Sequence, residues 1–277
     1  MLESILNLQK YPIDNLASEA ATSLVAAVRS QLDTEGSCTL KNFVQADALQ
    51  QMATEAASLI DLAYAGPAQV SPYFFNYAIA DTLDVDDNHP VHRKGKRNLS
   101  QVAADLIPSG HLLSQLYHSN YMTDFLAEVL QQPVYRNQDK YQSLNISVMN
   151  SGGCQQWHFD GGNMVTTLLL QAPLAGGVFE YAQNIRSDSD ENFEAVRKVL
   201  DGESDRVKAL ELEAGTLSLF RGHYSLHRVT EVQGKRQRLQ AILGYSTRPD
   251  LTGSLKSSAL HYGERVLADN ESTSGHY

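Results

Sequence analysis

The stretch "WHFDGGNMVTTLLLQAP", residues 157–173, places a histidine and a carboxylate one residue apart, before two glycines and a β-branched, leucine-rich run. The run "YQSLNISVMNSGG", residues 141–153, precedes it and is typical of a strand that ends in a tight turn. Side chains two residues apart on a strand lie on the same face, so His158 and Asp160 can reach one point together. On its own the pair is a weak signal, because a loop histidine beside a capping aspartate is common.

A second histidine strengthens the signal. The segment "GTLSLFRGHYSLHRVTEVQGKRQRLQAILGY", residues 215–245, is typical of short strands separated by glycine turns. His227 in this segment would complete a set of two histidines and one carboxylate, which leaves three adjacent positions open on an octahedral ion and suits non-haem Fe(II) oxygenases. Arg238 begins an apolar strand and could hold a carboxylate in a two-bond fork. His223 is a competing ligand, and Arg236 is the alternative anion clamp.

The hydrophobic pattern changes near residue 134. Before it, residues 15–36 and 111–133 carry apolar side chains at helical spacing, and Pro133 ends the second helix. After it, short strands alternate with Gly and Pro turns, which indicates a sandwich, barrel or jelly roll. We therefore expect an α+β protein with an N-terminal helical layer.

Composition excludes several classes of function. The 277 residues carry a formal net charge of −10, which does not favour nucleic-acid binding. No apolar run is long enough to span a membrane, and the N-terminus lacks the pattern of a secretory signal. The two cysteines, Cys38 and Cys154, fit neither a disulfide framework nor a zinc site. We expect a cytoplasmic protein without nucleic-acid or membrane partners, for which a homodimer is compatible with the sequence.

The motif H-x-D…H-x10-R in a strand-rich half resembles the Fe(II)/2-oxoglutarate-dependent dioxygenases, and the flanking sequence is most similar to the subgroup that hydroxylates or halogenates free amino acids. The resemblance implies a double-stranded β-helix (jelly-roll, cupin-like) core. It implies His158, Asp160 and His227 as iron ligands and Arg238 as the arginine that binds 2-oxoglutarate. Halogenating members have a small residue where Asp160 stands, so the resemblance favours hydroxylation.

We expect the chain to form a single dioxygenase domain over residues 1–277, divided into three parts. In this division, residues 1–133 form the helical support and pocket wall, residues 134–250 the jelly-roll core with the metal site, and residues 251–277 a C-terminal tail.

Further polar residues are candidates for contacts within such a site. Asn145, Ser147 and Thr167 lie on the predicted strands around the motif and could contact 2-oxoglutarate. The candidates for contact with the substrate are charged, aromatic and amide side chains near the expected barrel mouth: Asp139, Tyr141, Trp157, Arg97, Arg93 and Asn76. Six other histidines have no partner spacing and are expected to be surface or structural residues: His89, His92, His111, His118, His261 and His276.

The expected activity is hydroxylation of an unactivated C–H bond in a small polar molecule, a free amino acid or a derivative. Iron(II) is the expected cofactor, with 2-oxoglutarate and O₂ as co-substrates, and 2-oxoglutarate is decarboxylated to succinate. Two alternatives remain open at this point. One is a halogenase, desaturase or cyclase of a natural-product intermediate on the same fold, and the other is a cupin-like binding protein without catalysis.

Overall fold

The computed structural model describes residues 2–268, and for residues 76–78 and 80 it describes the backbone alone. Within these residues the helices are α1 (Glu19–Glu35), α2 (Ala46–Ala57), α3 (Tyr77–Thr82), α4 (Leu112–Tyr117), α5 (Asn120–Leu130), α6 (Phe193–Leu200) and α7 (Leu255–Tyr262). Helix α1 begins where the Ser18 side chain accepts a hydrogen bond from the amide of Ala21. It ends at Gly36, whose φ of 66° is a left-handed conformation that favours glycine.

Strands alternate with turns along most of the chain. They are β1 (Ser37–Leu40), β2 (Tyr64–Ala65), β3 (Gln69–Val70), β4 (Gly95–Asn98), β5 (Ser100–Val102), β6 (Tyr135–Arg136), β7 (Leu144–Met149), β8 (Cys154–His158), β9 (Val165–Gln171), β10 (Ala175–Gly176), β11 (Phe179–Ala182), β12 (Val207–Leu210), β13 (Leu217–Phe220), β14 (Leu226–Val229), β15 (Val232–Gln233), β16 (Arg238–Leu243) and β17 (Tyr245–Ser246).

Most strands belong to two antiparallel sheets. The larger sheet has the order β1-β13-β9-β16-β7-β5-β2, and the smaller has the order β12-β11-β14-β8-β4-β3. Two short pairs, β10-β15 and β17-β6, complete the strand pairing. This arrangement is the α+β architecture that the sequence predicts.

Alternation along the strands separates an apolar face from a polar one in the larger sheet. Leu239, Ala241 and Leu243 of β16 pack in the main core. Helices α1, α2, α4 and α5 contribute to the same core, so this face of the sheet is covered by helices. Because side chains on a strand alternate between faces, Arg238 and Gln240 point to the opposite side, toward the smaller sheet. The polar face of the larger sheet therefore lines the space between the sheets.

Helix α6 covers the outer face of the smaller sheet. Val196 and Val199 of α6 pack with Leu226 of β14 and Trp157 of β8 in a second cluster. The inner face of this sheet and that of the larger sheet meet at one end, where Met149 and other apolar side chains form a small cluster. This cluster connects the two sheets through apolar side chains.

The boundaries differ from the sequence-based division in two places. Strands β1 to β5 come from the first 133 residues, yet they extend the two main sheets, so the jelly-roll core is not confined to residues 134–250. The expected tail contains helix α7, which contacts β2 and β5. The helix predicted over residues 111–133 is two helices, because the Ser119 side chain caps a new start at α5. Within residues 2–268, no helix is both long and apolar enough to cross a membrane.

Candidate metal centre

Three donor side chains converge between the sheets. His158 ends β8 and lies directly opposite His227 of the neighbouring strand β14. Asp160 follows β8, with its Oδ1 3.7 Å from His158 Nε2 and its Oδ2 3.3 Å from His227 Nε2. The three donor atoms lie within 4.8 Å of one another. The backbone pairing of two strands thus brings together residues that are far apart in the sequence.

Backbone carbonyls orient both imidazoles. The Nδ1 atom of His158 is 2.9 Å from the Gln156 carbonyl oxygen, and Nδ1 of His227 is 2.9 Å from that of Ser225. A carbonyl can only accept a hydrogen bond, so in each histidine Nδ1 carries the proton and Nε2 is left as the donor for a metal. Both Nε2 atoms face Asp160.

Protonation states also suit a metal. Burial, and then the neighbouring His227, lowers the pKa of His158 to about 3. Burial raises the pKa of Asp160, but the interactions with His227 and His158 outweigh it and hold the pKa below its usual value. Metal ligands must be deprotonated, and at neutral pH the His158 imidazole is neutral and the Asp160 carboxyl is ionised. The donor set therefore fits a divalent iron ion with three open positions.

Arg238 presents a cation without a counter-ion. Its side chain is buried and makes no hydrogen bond or ion pair within residues 2–268. Burial lowers its pKa to about 10, so the guanidinium stays charged at neutral pH. A buried charge without a partner is costly, which makes this position suited to an anionic ligand. The alternative clamp, Arg236, is exposed and donates to the Pro173 carbonyl instead.

The other expected co-substrate contacts lie on strands beside β16. Asn145 of β7 and Thr167 of β9 are both paired with Ile242 of β16, from opposite sides. Ser147, two residues further along β7, is paired with Gln240. Asn145 and Ser147 are buried, and Thr167 is half-buried. All three therefore lie on the strands that flank the one carrying Arg238.

A chain of hydrogen bonds connects the two sheets. Arg97 of β4 donates through Nη2 to Gln101 Oε1 at 2.9 Å, and Gln101 Nε2 donates to Asn145 Oδ1 at 3.1 Å. Arg97 is buried, yet its Nε and Nη1 have no hydrogen-bond partner. Burial lowers the pKa of Arg97 to about 10. Two unpaired donors of a charged guanidinium thus remain for a ligand, and Gln101 is a site residue that sequence reasoning missed.

Two more residues near the triad were missed. Gln155 Nε2 lies 3.0 Å from His158 Nε2, and Gln155 is also paired with Arg97. It faces the same side as His158 because β8 carries one extra residue against β14, so His158 and Gln155 oppose His227 and Val229. No spacing rule in the sequence predicts such a bulge.

His261 of α7 is the other missed residue. Its ring stacks on Phe75 with centroids 5.4 Å apart, and Phe75 lies 5.9 Å from the His158 ring. His261 is buried, and its Nε2 has no hydrogen-bond partner. No partner spacing in the sequence marks His261, because its position depends on how α7 folds back over the barrel.

Most other expected substrate contacts lie elsewhere. Asp139 accepts hydrogen bonds from the amides of Tyr141, Gln142 and Gly253, so its carboxylate shapes a loop. Trp157 packs on the outer face of the smaller sheet, because it alternates with His158. Arg93 forms an ion pair with Asp201 at 2.6 Å.

Tyr141, Asn76 and two histidines also lie outside the triad or outside the described side chains. Tyr141 is buried in a small cluster with Tyr262 of α7, outside the triad. Asn76 lies in a short 3-10 helix, Phe74–Asn76, and its side chain is outside the described residues, as is His276. The competing ligand His223 does not join the triad; Arg186 donates to its carbonyl at 2.6 Å.

Several solved structures share this fold. AviO1 from Streptomyces viridochromogenes Tue57 matches with a TM-score of 0.56 and 14% identity, over 83% of this chain and 97% of that one. HygX from Streptomyces hygroscopicus, solved with nickel and 2-oxoglutarate bound, matches with a TM-score of 0.53 and 13% identity, over 79% and 86%. A 2OG-Fe(II) oxygenase family oxidoreductase from Burkholderia pseudomallei matches with a TM-score of 0.52 and 14% identity, over 81% and 91%.

The double-stranded β-helix and the donor set of two histidines and one aspartate define an Fe(II)/2-oxoglutarate-dependent oxygenase, a class of enzyme that uses iron, 2-oxoglutarate and O₂. The chain belongs to the halogenase D family, whose sequence profile matches residues 80–262. No curated protein sequence matches the chain.

Proposed function

We propose that this protein is a hydroxylase of a small molecule that carries a carboxylate, namely a free amino acid or a close derivative. His158, Asp160 and His227 hold the iron. The observation that carries the proposal is the position of Asp160, whose two oxygens face the Nε2 atoms of both histidines. A carboxylate supplied by the chain occupies the place that a halide needs, so oxygen rather than halogen is transferred.

The co-substrate is bound by the larger sheet. Arg238 pairs with the distal carboxylate of 2-oxoglutarate, which neutralises its otherwise unpartnered buried charge. Asn145, Ser147 and Thr167 supply hydrogen bonds from the strands on either side of β16. The amide of Asn145 is held in position by Gln101, so its own NH₂ group is free to be aimed at the keto-acid end.

The substrate carboxylate binds to Arg97. Its unpaired Nε and Nη1 each offer a charge-assisted hydrogen bond, and because they lie on different edges of the guanidinium, the carboxylate accepts from one of them. Gln101 fixes the third nitrogen and so limits the rotation of the guanidinium. His261 and Phe75 lie over the triad and exclude water from this side.

Iron at this site supplies the oxidation of 2-oxoglutarate by O₂ to succinate and CO₂, with the second oxygen atom entering a substrate C–H bond to give an alcohol. The residues of the chain supply position and charge. Arg97 and Arg238 hold two anions at fixed places, and the backbone carbonyls of Gln156 and Ser225 keep the imidazoles aligned. Positioning of this kind lowers the entropic cost of bringing the reacting groups together.

A screen of free amino acids for succinate release, followed by mass spectrometry of the products, tests the proposal. Anaerobic addition of Fe(II) and 2-oxoglutarate should give a weak visible charge-transfer band. Replacing Arg97 with Met should raise the substrate KM by about 10- to 100-fold, since each charge-assisted hydrogen bond contributes about 1.5–3 kcal/mol. Arg93→Met, at the ion pair with Asp201, is the matched control and should leave KM unchanged. Equal KM values in the two variants would contradict the substrate assignment.

The family description favours one further candidate, halogenation. A gain of halogen in the product would replace the proposal, as would a loss of two hydrogens for desaturation or cyclisation. A cupin-like binding protein should show no decay of 2-oxoglutarate at all. The three-residue donor set together with the unpartnered Arg238 supports turnover over simple binding.

A further inference from the structure

Gly222 lies against the carboxylate of the triad. It belongs to the turn between β13 and β14, the strand that carries His227. Its carbonyl accepts a hydrogen bond from the amide of Asp160 at 3.0 Å, so the two backbones are in direct contact. The side of Gly222 where a side chain would stand is filled by Asp160.

The contact leaves no space for a methyl group. A Cβ placed on Gly222 would lie 1.8 Å from Asp160 Oδ2, 2.6 Å from its Cγ and 2.9 Å from its Cβ. Gly222 is not among the glycines with positive φ, so its backbone conformation is open to alanine. The three atoms nearest to such a Cβ all belong to the aspartate side chain, so this side chain is what requires a glycine here.

The two backbones cannot easily move apart to relieve such a clash. Arg186 is buried, donates to the carbonyl of His223 at 2.6 Å and stacks on the ring of Phe159 at 3.9 Å. These partners are the residues next to Gly222 and Asp160, so one guanidinium holds both segments together. A side chain at position 222 must therefore turn the Asp160 carboxylate away from the histidines.

We propose that Gly222 determines whether a carboxylate at position 160 can act as a metal ligand. The inference rests on the proposed metal site. In this protein residues 160 and 222 form a pair: the aspartate is a ligand only because its partner has no side chain. Any other residue at 222 leaves a two-histidine site, even though the three donor residues are all present in the sequence.

A double-mutant cycle in metal binding tests the pair. Co(II) titration of the full-length, metal-free protein compares the wild type with Gly222→Ala, Asp160→Gly and the double variant. Glycine is used at 160 because the Cβ of an alanine would still lie 2.9 Å from the new methyl group. Gly222→Ala should weaken Co(II) binding by about 10- to 100-fold, nearly as much as Asp160→Gly. The double variant should bind within about threefold of Asp160→Gly, because the substitutions act on the same ligand.

Gly161→Ala is the matched control on the neighbouring loop. A Cβ there meets nothing closer than 3.7 Å, so Co(II) affinity should stay within about twofold of wild type. Thermal unfolding of each variant detects a folding defect. If Gly222→Ala fails to fold, the double variant should recover the Tm of Asp160→Gly, since the clash is then absent.

The outcomes separate this inference from the metal site itself. Equal Co(II) affinity in wild type and Asp160→Gly would overturn the proposed metal site. Weaker binding in Asp160→Gly but wild-type binding in Gly222→Ala would overturn the role of Gly222 alone. Losses of Co(II) affinity that multiply in the double variant would also overturn the role of Gly222. If Gly222→Ala fails to fold, a double variant that does not recover the Tm of Asp160→Gly would overturn it as well.

Discussion

Gln101 Nε2 donates to Asn145 Oδ1 at 3.1 Å, while Gln101 Oε1 accepts from Arg97 at 2.9 Å. One amide thus connects the proposed substrate arginine on the smaller sheet with the proposed co-substrate residue on the larger one. Because the Gln101 amide makes both hydrogen bonds, its removal should weaken the binding of substrate and of 2-oxoglutarate together.

Gln101→Met keeps the length of the side chain and removes both bonds. We expect the KM for substrate and the KM for 2-oxoglutarate to rise together, each by about 10-fold, as for the loss of one hydrogen bond to a charged group. Succinate formation measured while each ligand is varied gives both values. Gln171→Met, which breaks a bond to the Gln237 carbonyl, is the control. A rise in only one KM would show that Gln101 does not link the two sites.

Arg238→Met should weaken 2-oxoglutarate binding by about 100-fold, since a bidentate charged pair is lost. The Tm of the ligand-free protein should stay equal or rise, because an unpartnered buried cation is removed. The charge-transfer band titrated with 2-oxoglutarate and thermal unfolding measure the two effects. Arg236→Met, at an exposed position, should behave as wild type. Wild-type affinity in Arg238→Met would exclude it as the clamp.

Asp160→Gly should open a position beside the two histidines for a small anion. We expect chloride at about 100 mM, near physiological ionic strength, to raise the Co(II) affinity of this variant. The Co(II) affinity of the wild type should stay unchanged. Hydroxylation should fall by about 100-fold, since a ligand is lost. Co(II) titrations with sodium chloride or sodium sulfate at equal ionic strength separate anion binding from screening. A wild type that responds to chloride would argue against a carboxylate ligand.

The metal-free protein should lose stability as the pH falls from 7.5 to 5.5. His158 has its pKa lowered to about 3 in the folded state, against a value near 6.5 when unfolded, so the unfolded chain binds the proton first. Over this window the single histidine accounts for about 1.4 kcal/mol of the free energy of unfolding. Urea unfolding at the two pH values measures it. His158→Gln should reduce the pH dependence by this amount; an unchanged slope would contradict the prediction.

The triad is the part of the site that the sequence indicates most directly. Alternation on a strand and the placement of His227 in a later strand are local patterns, and the structure brings these residues together. Alternation also explains Trp157, since a neighbour of a ligand on a strand must face the other side. The sequence could suggest Arg97 by its charge, but not that its Nε and Nη1 remain unpaired.

What could not be predicted depends on register between distant strands. Gln101 meets Asn145 only because β5 lies beside β7, with Gln101 paired to Ser147. Strands β4 and β5 are short and lie in a charged segment that has no clear alternation, so the sequence does not mark them as parts of the two sheets. His261 depends on the folding back of α7.

The extra residue in β8 has a consequence for comparing and engineering relatives. Deleting one residue between Gln155 and His158 would remove the bulge and leave a regular strand, in which Gln155 would stand two places before the histidine and still face inward. In relatives without the extra residue, the equivalent of Gln155 is therefore two places before the first histidine, so an alignment needs a single-residue gap there to match the pocket positions. For a library aimed at altered substrate range, position 155 is an inward-facing choice that simple strand alternation would pass over.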